Sequence, residues 1–288
     1  MFSGSIVAMA TPFRNGEIDN EKIEELVEFH IEKGTNALLP CGCTGEAATM
    51  SHEEQKDLIA FVVGKVNKRV PVIAGTGSNN TKEAEELTKF AKETGADAAL
   101  VITPYYNKPT PAGQIAHYTQ LAKVGMPIML YNVPSRTGIS LSAETVATLS
   151  EVENIMAIKE AGGSVEAVCA IKELCDITVM SGDDALTIPM MSVGATGVVS
   201  VAANIVPDRI AALVKSFADG DIETAAKEHI ALYPLVKNMF IETNPLPVKK
   251  AMELMGLIDK AEYRMPLVSM LPENVETLRA VLSGMGLI

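Results

Sequence analysis

No stretch of this 288-residue chain is long and apolar enough to cross a bilayer, which takes roughly 18 consecutive apolar residues. The opening, Met1-Phe2-Ser3-Gly4, lacks the basic segment and long apolar stretch of a secretory leader. A cytoplasmic protein is therefore expected. There is no Lys/Arg-rich block, and the net charge is −12. A surface of that sign repels phosphate backbones and anionic headgroups, which argues against nucleic acid and membrane as partners. A small anion remains open, held by a few cations inside a pocket. Cysteine is scarce, with four residues, at positions 41, 43, 169 and 175. Their spacing fits no zinc framework, so no metal is expected, and a reducing compartment is the simple explanation.

Two glycine signatures are also missing. No Gly-x-Gly-x-x-Gly opens the first crossover helix, which weakens a dinucleotide-binding assignment. Gly75-Thr76-Gly77-Ser78-Asn79 lacks the lysine and the spacing of a phosphate-binding loop, and is read as a tight turn after a strand.

What is present is periodic. Eight short, β-rich apolar runs recur: 5–10, 36–42, 70–76, 98–104, 127–133, 155–161, 177–182 and 196–202. Stretches with helical spacing separate them, among them 19–32, 52–65, 81–94 and 142–150. Runs that are apolar almost throughout read as parallel strands covered on both faces. Each unit is long enough for a strand, a crossover helix and two loops. Eight such units, with 48% hydrophobic residues for one large core, predict an α/β protein, a (β/α)8 TIM barrel. After Pro207 only helical patterns follow, over about 208–218, 222–240, 247–257 and 273–287. A barrel unit over 1–225 with a C-terminal helical appendage over 226–288 is expected.

In such barrels the chemistry gathers where strands end on their C-terminal side. Strand 2 ends in Gly42-Cys43-Thr44-Gly45-Glu46, strand 4 in Thr103-Pro104-Tyr105-Tyr106-Asn107, and strand 5 in the segment from Tyr131 to Gly138. Strand 6 contains Ile158-Lys159-Glu160, and strand 7 ends in Ser181-Gly182-Asp183-Asp184. Lys159 carries the sharpest signal. Alternation puts it on the face of Ile155 and Ala157. If that face lines the barrel, poor hydration lowers the ammonium pKa, and a neutral amine attacks carbonyl carbon. The alternative is a lysine snorkelling off the strand end beside Glu160. Tyr131 and Tyr106 have hydroxyls that relay protons or simply pack under loops. Arg136 sits between Ser135 and Thr137, in a loop shaped by Pro134 and Gly138. There it either clamps a carboxylate or forms a surface ion pair. Asp183 and Asp184 are expected to cap a helix rather than hold a metal.

These motifs together resemble the dihydrodipicolinate synthase family of pyruvate-dependent class I aldolases and lyases. The similarity runs over essentially the whole chain. It includes Gly4-Ser5-Ile6-Val7-Ala8 with Thr11-Pro12, the segments Pro71–Gly77 and Val101–Asn107, and Tyr131–Gly138. Ile158-Lys159-Glu160-Ala161 and Asn244-Pro245-Leu246-Pro247-Val248-Lys249 match as well. The glycine-glutamate turn and the strand-6 lysine mark the superfamily, whereas the segment with Arg136 favours the synthase over its sugar-acid lyase relatives.

The resemblance implies condensation of pyruvate with L-aspartate 4-semialdehyde to 4-hydroxy-tetrahydrodipicolinate, in the diaminopimelate route to lysine, without a cofactor. Lys159 forms the Schiff base, Tyr131 moves protons at the imine, and Tyr106 of a neighbouring subunit links that relay to solvent. Backbone groups around Thr44 hold the pyruvate carboxylate, and Gly182 and Val199 line the pocket. Arg136 receives the semialdehyde carboxylate and helps to hold Tyr106. A shared site implies at least a dimer, and a homotetramer built as a dimer of dimers is usual for the family. One departure matters: Cys43 stands where the family typically has the relay threonine. A thiol, with a reference pKa of about 8.5, is the weaker donor and acceptor. At the family's lysine-feedback site His52, Asn79, Glu83 and Tyr105 match, while Ala47 and Gln55 replace a serine and a histidine. Weak or absent inhibition by lysine is expected. The competing assignments are a pyruvate lyase acting on a sialic or 2-keto-3-deoxy sugar acid, and a non-catalytic keto-acid-binding barrel.

Overall fold

The structure, a computed structural model, describes residues 2–288. Eight parallel strands form one sheet: β1 (Gly4–Ala8), β2 (Ala37–Leu39), β3 (Ile73–Gly75), β4 (Ala98–Ile102), β5 (Ile128–Asn132), β6 (Ile155–Glu160), β7 (Thr178–Ser181) and β8 (Gly197–Ser200). Their order is β2-β1-β8-β7-β6-β5-β4-β3. A parallel bridge between Leu38 and Val72 brings the two ends of the sheet together into a nearly closed barrel.

A helix follows each strand: α1 (Asn20–Glu32), α2 (His52–Val66), α3 (Thr81–Thr94), α4 (Pro111–Ala122), α5 (Ala143–Ser150), α6 (Val165–Leu174), α7 (Thr187–Met191) and α8 (Pro207–Ala218). The appendage consists of α9 (Ile222–Asn238), α10 (Leu246–Leu254) and α11 (Pro272–Gly284). Helix α9 runs unbroken through residues 225 and 226, where the sequence places the end of the barrel unit. A short antiparallel hairpin, Phe13–Arg14 with Glu17–Ile18, lies between β1 and α1.

The strands are shorter than the apolar runs because those runs continue into the rim. In the second unit only Ala37–Leu39 is strand. Cys41 then adopts a left-handed φ of 58° and turns the chain across the barrel mouth. Gly75 of β3 passes so close that a Cβ there would lie 2.0 Å from the Cys41 carbonyl oxygen, so only glycine fits. Beyond this turn a capping box starts α2. Ser51 Oγ accepts from the Glu54 N–H, and Glu54 Oε2 accepts from the Ser51 N–H. Such a cap contributes about 0.5–2 kcal/mol and fixes where the rim turn ends.

Two apolar layers result from the alternation. Ile6, Leu39, Ile73, Leu100, Met129 and Met180 fill the barrel interior. Val7, Leu38, Leu130, Ile158, Val179 and Val198 face the helices. Ile155 breaks the expected alternation, packing in the outer layer while Ala157 packs inside. Across β5 and β6, Ile128 pairs with Ile155 but Met129 pairs with Ala157, so Met156 is skipped. That irregularity flips the parity at the start of β6. Lys159 nevertheless shares the inner face with Ala157. Among the described residues no helix is long and apolar enough to cross a membrane.

Candidate active site

Lys159 is only 6% exposed although it ends a strand at the barrel mouth. Its register partner on β5 is Tyr131, and its Nζ lies 4.3 Å from the centre of the Tyr131 ring. Burial brings the Lys159 pKa down to about 8, against upward pulls from Cys43 and Asp184 and with a further downward push from Arg136. A substantial fraction of the amine is thus neutral near pH 8, the form that adds to carbonyls. Burial also pushes the Tyr131 phenol well above its ordinary value; Cys43 adds to this and the Arg136 guanidinium opposes it. Tyr131 is therefore held protonated as a donor. The shared influence of Cys43 and Arg136 on both groups places the four side chains in one electrostatic neighbourhood.

Gly182 leaves the room that Lys159 occupies. A Cβ at this position would lie 3.0 Å from Cγ and Cε of Lys159 and 2.6 Å from Cβ of Ala161. Its N–H donates to the Glu160 carbonyl at 2.7 Å, tying β7 to β6. Val199 is fully buried in the interior layer.

The turn after β2 presents Cys43 and Thr44. Among the described residues, the N–H groups of Cys43, Thr44 and Gly45 donate to no protein acceptor. Two of the turn's carbonyls, in contrast, are occupied: Thr11 Oγ1 donates to Gly45 O at 2.8 Å and the Glu46 N–H to Cys43 O at 3.2 Å. A row of free donors beside a buried amine is a natural seat for a small carboxylate.

Arg136 follows β5 in a single helical turn, Pro134–Thr137, closed by Gly138 at φ 73°. The side chain is exposed, and its Nη2 donates to the Asn244 carbonyl at 2.9 Å. Asn244 in turn donates through Nδ2 to Thr44 Oγ1 at 3.0 Å, so one residue links the Thr44 turn to the Arg136 loop. The start of the Arg136 loop is anchored by Asn132, whose Nδ2 donates to Glu160 Oε2 at 2.8 Å and whose Oδ1 accepts from the Leu141 N–H at 3.0 Å. Burial raises the Glu160 pKa, while Asn132 and the Gly162 N–H hold it down.

Not every expected residue joins this cluster. Tyr106 is 90% exposed and has a left-handed φ of 70°. Within the protomer it projects into solvent, and Arg136 binds the Asn244 carbonyl instead. The four residues expected to match a lysine-feedback site, His52, Asn79, Glu83 and Tyr105, and the two expected departures from it, Ala47 and Gln55, lie at or next to the starts of α2 and α3 and just after β4. Gln55 Nε2 donates to Ala47 O at 2.9 Å, His52 lies 3.7 Å from Glu83, and Asn107 donates to Asn79 O at 2.8 Å. Tyr105 is 37% exposed.

The aspartate pair divides. Asp183 caps the turn that opens with Asp184, accepting from the Ala185 N–H at 3.0 Å, as expected. Asp184 does not cap that turn. It is buried and accepts from Ser200 Oγ and from the N–H groups of Val201 and Ala202. It thereby caps the turn after β8, because the pairing of β7 with β8 brings that turn against the β7 rim. Among the described residues no group of three or more His, Cys, Asp and Glu is placed to hold a metal. Asn244, Glu46 and Lys249 were given no role from sequence. The available signal was Lys249, a cation inside a stretch that is otherwise largely apolar, Leu246–Met252.

Together the parallel barrel and the polar cluster at its C-terminal rim define a (β/α)8-barrel enzyme. The dihydrodipicolinate synthetase family model matches residues 1–285. The chain belongs to that family and is an enzyme of its type. The 4-hydroxy-tetrahydrodipicolinate synthase of Geotalea uraniireducens (strain Rf4) is 54% identical over 291 aligned positions covering 100% of both chains. The dihydrodipicolinate synthase structure from Aquifex aeolicus superimposes with a TM-score of 0.98 at 46% identity over 99% of each chain. A chloride-inhibited dihydrodipicolinate synthase from Acinetobacter baumannii, solved with pyruvate, gives 0.97 at 44% identity over 100% of each chain.

Proposed function

We propose that this enzyme condenses pyruvate with L-aspartate 4-semialdehyde through an imine on Lys159. The product is 4-hydroxy-tetrahydrodipicolinate, which places the enzyme in the diaminopimelate route to lysine. The observation that carries the assignment is the buried Lys159 amine, brought to a pKa of about 8 beside Tyr131.

The neutral Nζ of Lys159 adds to the pyruvate carbonyl carbon, and loss of water leaves the imine. The free N–H groups of Cys43, Thr44 and Gly45 receive the pyruvate carboxylate. A proton leaves the methyl carbon, and the imine nitrogen takes up the electron pair to give an enamine. Tyr131, with Cys43 beside it, carries the protons of these steps. The enamine carbon then attacks the aldehyde carbon of the semialdehyde, whose oxygen is protonated to a hydroxyl. Finally the semialdehyde's own amine displaces Lys159, closing the ring and freeing the lysine. One water is lost overall. Arg136 receives the distal carboxylate from the exposed side of the mouth.

Tyr106 fits as the solvent end of a relay in a neighbouring copy, because it points away from its own protomer. We propose a homotetramer, a dimer of dimers in which each site borrows this tyrosine, working in the cytoplasm.

The test is borohydride reduction in the presence of pyruvate, with peptide mass mapping and a coupled assay with the semialdehyde. A reduced pyruvyl adduct on Lys159 together with turnover is expected. An adduct without turnover of the semialdehyde favours a sister lyase, and no adduct overturns the mechanism.

A further inference from the structure

The turn that carries Cys43 and Thr44 is held by a part of the chain 203 positions away. Glu46, its last residue, adopts a left-handed φ of 57°, a conformation that stores about 1–2 kcal/mol for a residue with a side chain. Its carboxylate is fully buried. Oε1 pairs with Lys249 Nζ at 2.5 Å, with both side chains 0% exposed. Oε2 accepts from the Arg264 N–H at 3.3 Å. The Lys249 ammonium also faces the Phe13 ring at 4.3 Å and the Tyr263 ring at 5.3 Å. The Glu46 N–H donates to the Cys43 carbonyl, so the orientation of Glu46 is transmitted directly to the peptide between Cys43 and Thr44.

We propose that the Lys249–Glu46 ion pair is a positioning device for the keto-acid-binding turn, setting its affinity for pyruvate. This rests on the assignment of the Cys43–Gly45 N–H groups to the pyruvate carboxylate. Stability is a poor explanation for such a pair. Desolvating two charges largely offsets their attraction, and apolar replacements of similar volume are often as stable or more so. What the charges supply is direction. Two oxygens anchored at fixed points by α10 and by the Tyr263–Arg264 segment hold one backbone conformation, and with it the aim of the free donors. Lys249 and Glu46 touch no substrate and act only through the turn.

The experiment compares Glu46→Gln, Lys249→Met and the double variant with the parent enzyme. Melting temperature, half-saturating pyruvate for borohydride trapping, and trapping at saturating pyruvate are read for each. Each single variant should raise half-saturating pyruvate about tenfold, with trapping at saturation within about twofold of the parent. The double variant should show the same rise rather than the product of two, because both changes break one device. Its melting temperature, however, should recover above that of the single variants, since no unpaired charge remains buried. Half-saturating pyruvate that instead follows the melting temperature, returning to the parental value in the double variant, overturns the proposal. If Lys249→Met is unfolded at the assay temperature, Lys249→Arg replaces it, retaining charge while altering reach. Unchanged half-saturation in both Lys249→Arg and Glu46→Gln is equally fatal. Failure of the parent to form any adduct on Lys159 is a different result, one that removes the mechanism above.

Discussion

Lys159 and Tyr131 are register partners on adjacent strands, with the lysine nitrogen 4.3 Å from the centre of the tyrosine ring. The pairing excludes water from one side of the amine, and burial holds its pKa at about 8. The rate of adduct formation should therefore rise about tenfold per pH unit below pH 8 and level off above it. A rate independent of pH between 6 and 9 would contradict this. The same burial penalises the folded state. The folded pKa lies below the ordinary lysine value of 10.5, so the unfolded chain binds more protons, and stability falls as pH drops from about 10.5 to about 8. Lys159→Met should abolish the adduct and raise the melting temperature at pH 7.

Cys43 is partly accessible, whereas burial pushes the Cys41 thiol up to about 12. Alkylation should inactivate the enzyme in step with modification of Cys43, and pyruvate should protect it. Cys43→Thr should remove the sensitivity and raise kcat. Full modification of Cys43 without loss of rate would remove it from the proton relay.

Arg136 is exposed, and among the described residues its guanidinium donates to one acceptor, the Asn244 carbonyl. Hydrogen bonds to a charged group are worth about 1.5–3 kcal/mol. Arg136→Ala should thus raise KM for the semialdehyde roughly 10- to 100-fold while leaving the pyruvate adduct intact. An equal loss in pyruvate trapping would show that the arginine supports the lysine instead.

Lysine should inhibit weakly or not at all. Ala47 offers no side-chain donor or acceptor, and the Gln55 amide is already spent on the Ala47 carbonyl at 2.9 Å. Half-inhibition by sub-millimolar lysine in the coupled assay would refute this.

His30 is fully buried, and neither ring nitrogen has a hydrogen-bond partner among the described residues. Burial lowers its pKa from 6.5 to about 3. The unfolded chain therefore takes up a proton that the folded chain refuses, and stability is lost as pH falls from about 6.5 to about 3. The loss is at most of the order of 4 kcal/mol at pH 3. His30→Leu should flatten denaturant-measured stability over that interval, and an unchanged slope would place the acid sensitivity elsewhere.

Much of this was legible locally. Helix Thr81–Thr94 begins and ends where its periodicity indicated. All eight strands fall within the apolar runs to within one residue. Rim positions followed from the strand ends, which is why Lys159, Tyr131, Cys43 and Arg136 could be grouped before any coordinates. Ile155 was misplaced because a skipped residue in the pairing leaves no mark on the sequence. Asp184 was misassigned because its partners, 16 to 18 positions ahead, become neighbours only when β7 and β8 pair.

The sequence by itself determined the eight alternating units, the family and the position of a lysine near a strand end, because hydrophobic period and turn chemistry act over short stretches of chain. Only the tertiary structure decided how the lysine is tuned and how its surroundings are held. The pKa of Lys159 depends on water excluded by neighbouring strands. The space it fills exists because Gly182 has no side chain. Glu46 meets Lys249 because the appendage folds back over the barrel mouth, and no local pattern encodes a contact between residues so far apart.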